Sequence, residues 1–361
     1  MTLSDILAAL DLNAAGAAPF GLRAGPVSLA VHAPEPLRSR LIAYFGETVC
    51  DAAPGADPVH LLNGQSLPRD PDWTDWQREG GKSGRKDAVC DLGGAPRGAR
   101  LIRKVRSGVT FVQAPGLAIA LGPLEDHEST VINFINTQIL NRCLREGWQL
   151  AHAAAVTDGT RTLAISGLSG GGKSTSILRM MDLPGTRFLS NDRVLISGGD
   201  PARALGIPKH PRINPGTILG NPRLSGLLSE TRKAALRATP PADLWALEEK
   251  YDLIVPEVYG PGRMRLDGPL TDFWVLNWSH DSDRPTQVTP VTLGQRPDLL
   301  GAIMKSPGPF YQHADGRFEP NGNSPDPAPY VAALSGVTVC EVSGRIDFDA
   351  IAAAGKALFD G

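Results

Sequence analysis

Along the chain, apolar positions recur first with a period near two and later with a period near 3.6. From about residue 25 to 122 the apolar runs are short and end in turn residues. "GPVSLAVHA" and "PVHLLNG" each read as one strand. "ARLIRKVRSGVTFVQAPGLAIALG" reads as three strands joined at Ser-Gly and Pro-Gly turns. Between them, "LPRDPDWTDWQREGGKSGRKDA" has loop chemistry throughout. In "ESTVINFINTQILNRCLREG" the period changes. Val131, Ile135, Ile139, Leu140 and Leu144 fall on one helical face, Ser129 or Thr130 can cap the start, and Gly147 can end it. At the N-terminus, Thr2 with Asp5 has the pattern of a capping box opening a short amphipathic helix.

Two strands follow, "QLAHAAAVT" and "RTLAISG", separated by a turn at Asp158-Gly159. A helix is predicted from about Lys173 to Met181, Pro184-Gly185 breaks it, and "TRFLSNDRVLI" returns to extended structure. Strand, loop, helix, strand is the grammar of an α/β nucleotide-binding core. The expected architecture is a P-loop domain of α/β class over 126–361, preceded by a smaller β-rich α+β domain over 1–125. The Pro/Gly-rich stretch from about 285 to 335 reads as a surface wrap and a candidate lid.

Composition narrows the function classes. Length, 361 residues, suits two domains, and Gly 40 with Pro 31 calls for many turns and long connections. A formal net charge of −2 argues against nucleic-acid or anionic-membrane binding driven by bulk charge. The cysteines, Cys50, Cys90, Cys143 and Cys340, form no CxxC pair, which suits reduced thiols better than disulfides or zinc. The histidines other than His152 show no metal-ligand spacing. No apolar run approaches the roughly 18 residues of a membrane span, and the N-terminus lacks a basic leader, so a soluble cytoplasmic protein is expected.

The strongest chemical signal is Gly167-Leu-Ser-Gly-Gly-Gly-Lys173-Ser174, which matches GxxxxGK[ST]. Gly167, Ser169, Gly170, Gly171 and Gly172 let successive backbone N–H groups turn toward one anion, and the helix N-terminus adds about half a positive charge there. Lys173 would reach the β- and γ-phosphates, Ser174 would ligate Mg²⁺, and Thr175 would complete the ATP-binding run. "GGKSGRKD" at 80–87 lacks the spacing and the following helix, so it reads as a solvated loop. Arg100, Arg103, Lys104 and Arg106 cluster on a predicted strand, read as a guarded sheet edge or, alternatively, as a face for an anionic partner.

His152 in "LAHAAAV", the loop "ISGLSGGGKST" and "FLSNDRVLI" together resemble HPr kinase/phosphorylase and, more distantly, the nucleotide core of phosphoenolpyruvate carboxykinase. "PKHPRINPGTILGNPRL" and "EEKYDLIVPEVYGPGRMRL" are similar to the HPr-kinase-related proteins of the kinase B type. The resemblance covers about 150 to 280 and implies an ATP- and Mg²⁺-dependent kinase acting on a hydroxyl. An Asp-Asp pair in HPr kinases corresponds here to Asn191-Asp192. The resemblance therefore makes Asp192 the metal-site residue and a candidate base, with His152 the alternative base and Asn191 a residue that positions a hydroxyl. "GPGRMR" is similar to a Pro-Gly-Arg that contacts phosphate, which assigns that role to Arg263.

"RINPGTILGNP" stands where those enzymes carry Glu-x-Arg-Gly-x-Gly, so neither the reverse phosphorolysis nor HPr as acceptor is expected. Lys209, His210 and Arg212 are candidates for the acceptor side by proximity. The expected acceptor is a small hydroxyl metabolite. A homo-oligomer and an ATP-grasp partner enzyme are implied by the resemblance alone. The alternatives are a protein-serine kinase, a nucleotide-binding regulatory or scaffold protein without catalysis, to which Asn191 points, and a carboxykinase-like enzyme.

Overall fold

The period-two runs of the first 122 residues become one mixed sheet in the computed structural model, which describes residues 1–361 except 17, 78–83, 94–97, 168–170, 241–242, 245–246 and 248. Its strands are β1 (Phe20–Ala24), β2 (Val27–His32), β3 (Val49–Asp51), β4 (Asp57–Asn63), β5 (Thr74–Asp75), β6 (Asp87–Leu92), β7 (Ala99–Lys104), β8 (Thr110–Ala114) and β9 (Leu117–Gly122). They lie in the order β3-β1-β2-β4-β9-β8-β7-β6-β5, with β2, β4 and β9 mutually parallel. In β2, Val27, Leu29 and Val31 are buried while the residues between them are half-exposed, as alternation across a pleat requires.

Helix α1 (Leu3–Ala9) opens with the expected capping box: Thr2 Oγ1 accepts from Asp5 N at 3.2 Å, and Thr2 N donates to Asp5 Oδ2 at 2.7 Å. Its Ile6 and the following Leu10 join a core with Leu62, Leu101, Val112, Ile119 and Leu121. Helix α2 (Leu37–Phe45) precedes β3. Helix α3 (Glu128–Arg145) packs on β2 and β9. Its Phe134 stacks on Phe111 of β8 at 4.4 Å between ring centres. Neither Ser129 nor Thr130 caps it. The helix continues directly from a 3₁₀ turn at Glu125–His127, so both lie inside the first turn.

Of the basic cluster, Arg100, Arg103 and Lys104 neither guard a sheet edge nor face out toward an anion, while Arg106 is exposed in the turn after β7. β7 lies inside the sheet, between β6 and β8. Arg100, only 4 % exposed, makes a two-point ion pair with Asp91 and donates to the carbonyls of Pro309 and Glu319. Arg103 pairs with Asp70 and Lys104 with Asp87. The candidate second phosphate loop falls largely on 80–83, outside the described residues.

The chain divides into two units, 1–148 with 306–325, and 149–305 with 326–361. A boundary at 125/126 would cut α3 away from the sheet on which it packs, and the compact unit therefore extends past it. The 285–335 stretch is likewise not a simple wrap. It supplies a strand, the helices Pro297–Ile303 and Pro327–Ala333, and a segment built into the first unit.

The second unit holds strands β10 to β21, arranged in a six-stranded, a four-stranded and a two-stranded sheet. After β10 (Gln149–Ala151) come β11 (Ala153–Thr157), β12 (Thr162–Gly167), β13 (Arg187–Ser190), β14 (Val194–Ser197), β15 (Arg203–Leu205), β16 (Arg212–Ile213), β17 (Tyr251–Asp252), β18 (Asp267–Pro269), β19 (Asp272–Leu276), β20 (Gln287–Pro290) and β21 (Thr338–Ser343). The six-stranded sheet runs β13-β11-β12-β19-β21-β20, and a four-stranded sheet runs β10-β14-β15-β18. β12, β19 and β21 are parallel, and β11, β13 and β20 are antiparallel to their neighbours.

Residues alternate between the two faces of the six-stranded sheet. Leu163, Ile165, Trp274 and Leu276 meet helix α4 (Lys173–Met180) and the helix Phe348–Asp360. Ala164, Phe273 and Val275 meet the helices Pro297–Ile303 and Pro327–Ala333. The class is therefore α/β with mixed sheets. Among the described residues no helix is long and apolar enough to cross a membrane.

Candidate functional site

The segment read as one strand, "QLAHAAAVT", is two strands in two sheets. β10 pairs with β14 and β11 with β12 and β13, and the chain changes sheets at His152. "FLSNDRVLI" does the same: β13 and β14 are separated by Asn191, Asp192 and Arg193. The two segments cross from sheet to sheet side by side, so their breaks face each other. A residue released from a ladder needs another backbone partner. His152 N donates to Ile303 O at 2.7 Å, and Ser190 Oγ closes the second break by donating to Arg193 O at 2.6 Å.

At this double break His152 Nε2 lies 3.3 Å from Asp192 Oδ1. The other oxygen, Oδ2, is 3.6 Å from Lys305 Nζ and 3.7 Å from Arg193 Nε. Backbone contacts bring Lys305 here. Met304 bridges Ala151, and the Tyr330 hydroxyl donates to Leu150 O at 2.7 Å while accepting from Lys305 N at 3.4 Å. Asn191 Oδ1 is buried with no hydrogen-bond partner, an acceptor left without a donor among the described residues.

The Asp192 side chain is 55 % exposed, so desolvation, which would push its carboxyl up, is partial. The hydrogen bond from His152 and the charges of Lys305 and Arg193 outweigh it and hold the group well below the usual carboxylate range. The bond to Asp192 raises the His152 pKa, but burial and the nearby Lys305 and Lys173 charges outweigh that, so the imidazole lies below its ordinary value and is neutral at pH 7. With Asp192 ionised, Nε2 carries the ring proton toward it, and Nδ1 keeps a lone pair.

β12 delivers the chain to the glycine loop, and α4 begins at Lys173. Ser169 and Gly170 lie outside the described residues. Gly172 caps α4 with φ 94°, and a Cβ there would meet the rings of Phe348 at 2.9 Å and Trp278 at 3.3 Å. Trp278 Nε1 donates to Gly171 O at 2.9 Å. In a trans peptide the N–H points opposite to the carbonyl, so this bond turns the Gly172 N–H away from the indole.

Lys173 Nζ arches back to Gly167 O at 3.0 Å, and among the described residues no carboxylate forms an ion pair with it. Burial lowers its pKa to about 8 against the opposing pull of Asp192. Ser174 is half-buried at the second helical position. Thr175 Oγ1 is instead 2.8 Å from Thr217 Oγ1, so its hydroxyl is engaged away from the loop.

Arg263 is not brought to this site. Its Nε donates to Thr186 O at 2.9 Å and its Nη2 to Met181 O at 2.6 Å, over the Tyr259 ring. Met181 is the C-cap of α4, and the eight residues from Lys173 put its carbonyl about 12 Å along the axis from the loop end. Arg212 pairs with Asp252, and buried His210 Nδ1 accepts from Val255 N at 3.4 Å, both structural engagements.

The sequence reading missed Lys305, Arg193, Trp278 and Tyr330. Arg193 had a signal, its place beside Asn191-Asp192. Lys305 had none, because it lies far along the chain in a Pro/Gly-rich stretch.

A solved structure is similar in outline. It is the HPr(Ser) kinase/phosphatase from Coxiella burnetii, matched over 59 % of this chain and 99 % of that chain at 10 % identity and a TM-score of 0.29. No family model matches the chain, and no curated protein matches it in sequence.

Proposed function

We propose that the second unit is an ATP-dependent kinase that transfers the γ-phosphoryl group to a hydroxyl of a small metabolite. The observation that carries this reading is Lys173: a half-buried ammonium at a helix N-terminus, bonded to a carbonyl and paired with no carboxylate among the described residues. Such a group is matched by an anion, and a glycine loop ahead of a helix is suited to phosphate.

Ser174 and Asp192 would hold Mg²⁺. One ionised carboxylate and one hydroxyl fit an ion that keeps water and phosphate oxygens as its remaining ligands. Among the described residues no group of three His, Cys, Asp or Glu gathers to hold a metal. When bound, the ion would neutralise charge on the β- and γ-phosphate oxygens.

In the transfer, the bond from γ-phosphorus to the bridging oxygen breaks and a bond to the acceptor oxygen forms. The acceptor proton passes to His152 Nδ1 or to Asp192, and ADP leaves. A loose transition state asks more of charge neutralisation than of base strength, so the Asn191 position does not preclude transfer. Asn191 Oδ1 offers an acceptor for the substrate hydroxyl.

The test is the unfolding midpoint with and without Mg-ATP, for wild type and Lys173→Ala. A ligand at 100 times its dissociation constant stabilises by about 2.7 kcal/mol. Wild type should gain this and Lys173→Ala should not; no gain across ATP, GTP and Mg²⁺ concentrations rejects the reading. Asn191 favours a second reading, a nucleotide-binding regulatory protein. Binding without release of ADP toward any acceptor would select it.

A further inference from the structure

We infer that Lys305 is the residue that neutralises the γ-phosphoryl group, the role the sequence assigned to Arg263. This rests on the nucleotide-binding reading above. Arg263 is spent on the carbonyls of Met181 and Thr186 at the far end of α4. Lys305, by contrast, is held beside the site by backbone contacts that do not involve its side chain: the Met304–Ala151 bridge, the His152 N to Ile303 O bond, and the Tyr330 hydroxyl tied to both segments. Its side chain is only 17 % exposed, yet its charge ends 3.6 Å from Asp192 Oδ2. It also stands close enough to Lys173 for the two positive charges to act on each other.

Charge counting gives the direction. Lys305 and Arg193 flank the one carboxylate, and Lys173 feels Asp192, Lys305 and the exposed Lys250, so four positive charges stand against one negative charge, three in excess. An Asp192 that turns to Mg²⁺ holds an ammonium less well, since like charges a few ångströms apart repel. The released Lys305 then faces the same space as Lys173, where the terminal phosphate of a triphosphate supplies the missing negative charge. A diphosphate lacks that terminal group and leaves one positive charge there unmatched. Arg193 and Lys250 are weaker candidates: the Arg193 side chain is 29 % exposed against 17 % for Lys305, and Lys250 is exposed with no ion pair to Asp192 among the described residues.

The experiment compares Mg-ATP and Mg-ADP affinities by calorimetric titration of wild type, Lys305→Met and Lys305→Arg. Wild type should prefer Mg-ATP. Lys305→Met should reduce that preference about tenfold while holding Mg-ADP affinity within about twofold, and Lys305→Arg should restore most of it. Equal weakening of both nucleotides, an unchanged ratio, or a wild type without preference for ATP each overturns the inference. A wild type that binds neither nucleotide overturns the kinase reading itself. Should the variants not fold, acetylation of wild-type lysines read by mass spectrometry serves instead. Mg-ATP should protect Lys305 while Mg-ADP leaves it reactive, and equal reactivity in both overturns the assignment.

Discussion

Replacing Arg263 with methionine separates a structural arginine from a phosphate ligand. Methionine keeps an apolar stem against Tyr259 and removes both donors to Thr186 O and Met181 O. Hydrogen bonds from a charged group are worth about 1.5–3 kcal/mol each in partly buried settings. Water at this half-exposed position recovers part of the loss, so about 2–3 kcal/mol is expected in total. For a unit of roughly 190 residues each kcal/mol moves the midpoint by about 2–4 °C, which predicts a fall of about 5–10 °C. The assay is thermal unfolding with and without saturating Mg-ATP. The added stabilisation by nucleotide should be the same in wild type and variant, because the helix C-terminus does not touch phosphate. A variant that melts within about 1 °C of wild type but gains nothing from Mg-ATP would refute this placement.

Three further outcomes are expected. Gly172→Ala forces a Cβ onto Phe348 and Trp278 at a positive φ; a cost of about 1–3 kcal/mol and loss of the Mg-ATP shift should appear together in the same melts, and an unchanged nucleotide response would count against the loop reading. Hydrogen bonds from Arg296 hold the Glu341 carboxyl below its ordinary value despite burial, so its contribution is present above the unfolded value of about 4.3 and is lost as pH falls through the lower folded value. Glu341→Gln should therefore lower the midpoint at pH 7 and flatten the acid limb below about pH 4.5, and parallel curves for both proteins would contradict this. Iodoacetamide at pH 8 should label exposed Cys50 first and leave Cys143, whose thiol burial pushes up to about 12, unmodified until urea is added; peptide mass spectrometry would expose equal rates, which the structure forbids.

The features legible in the sequence are local. The Thr2–Asp5 capping box, the buried face of α3, the hairpins from 99 to 122 and the start of α4 at Lys173 each depend on residues a few positions apart, so side-chain chemistry and periodicity suffice to read them. His152, Asp192 and Lys173 could be singled out singly, from motif and resemblance. Their arrangement could not, because it depends on two strands that both change sheets at the same level, a consequence of pairings no single segment encodes.

Arg263 shows the same limit from the other side. Its tripeptide reads as a phosphate contact, yet long-range pairing beside Phe188 aims the guanidinium at the C-terminus of α4. Arg100 and Lys104 read as an exposed edge until β6 and β8 enclose their strand. Lys305 carries no motif at all, and only the laying of 303–305 against 150–152 makes it a neighbour of Asp192. Sequence by itself determined the capping box of α1, the buried face of α3, the hairpins of 99–122 and the start of α4, because those follow from local chain chemistry. Tertiary structure alone decided which charges share the site, because that depends on laying 150–152 against both 190–194 and 303–305, segments distant in the chain.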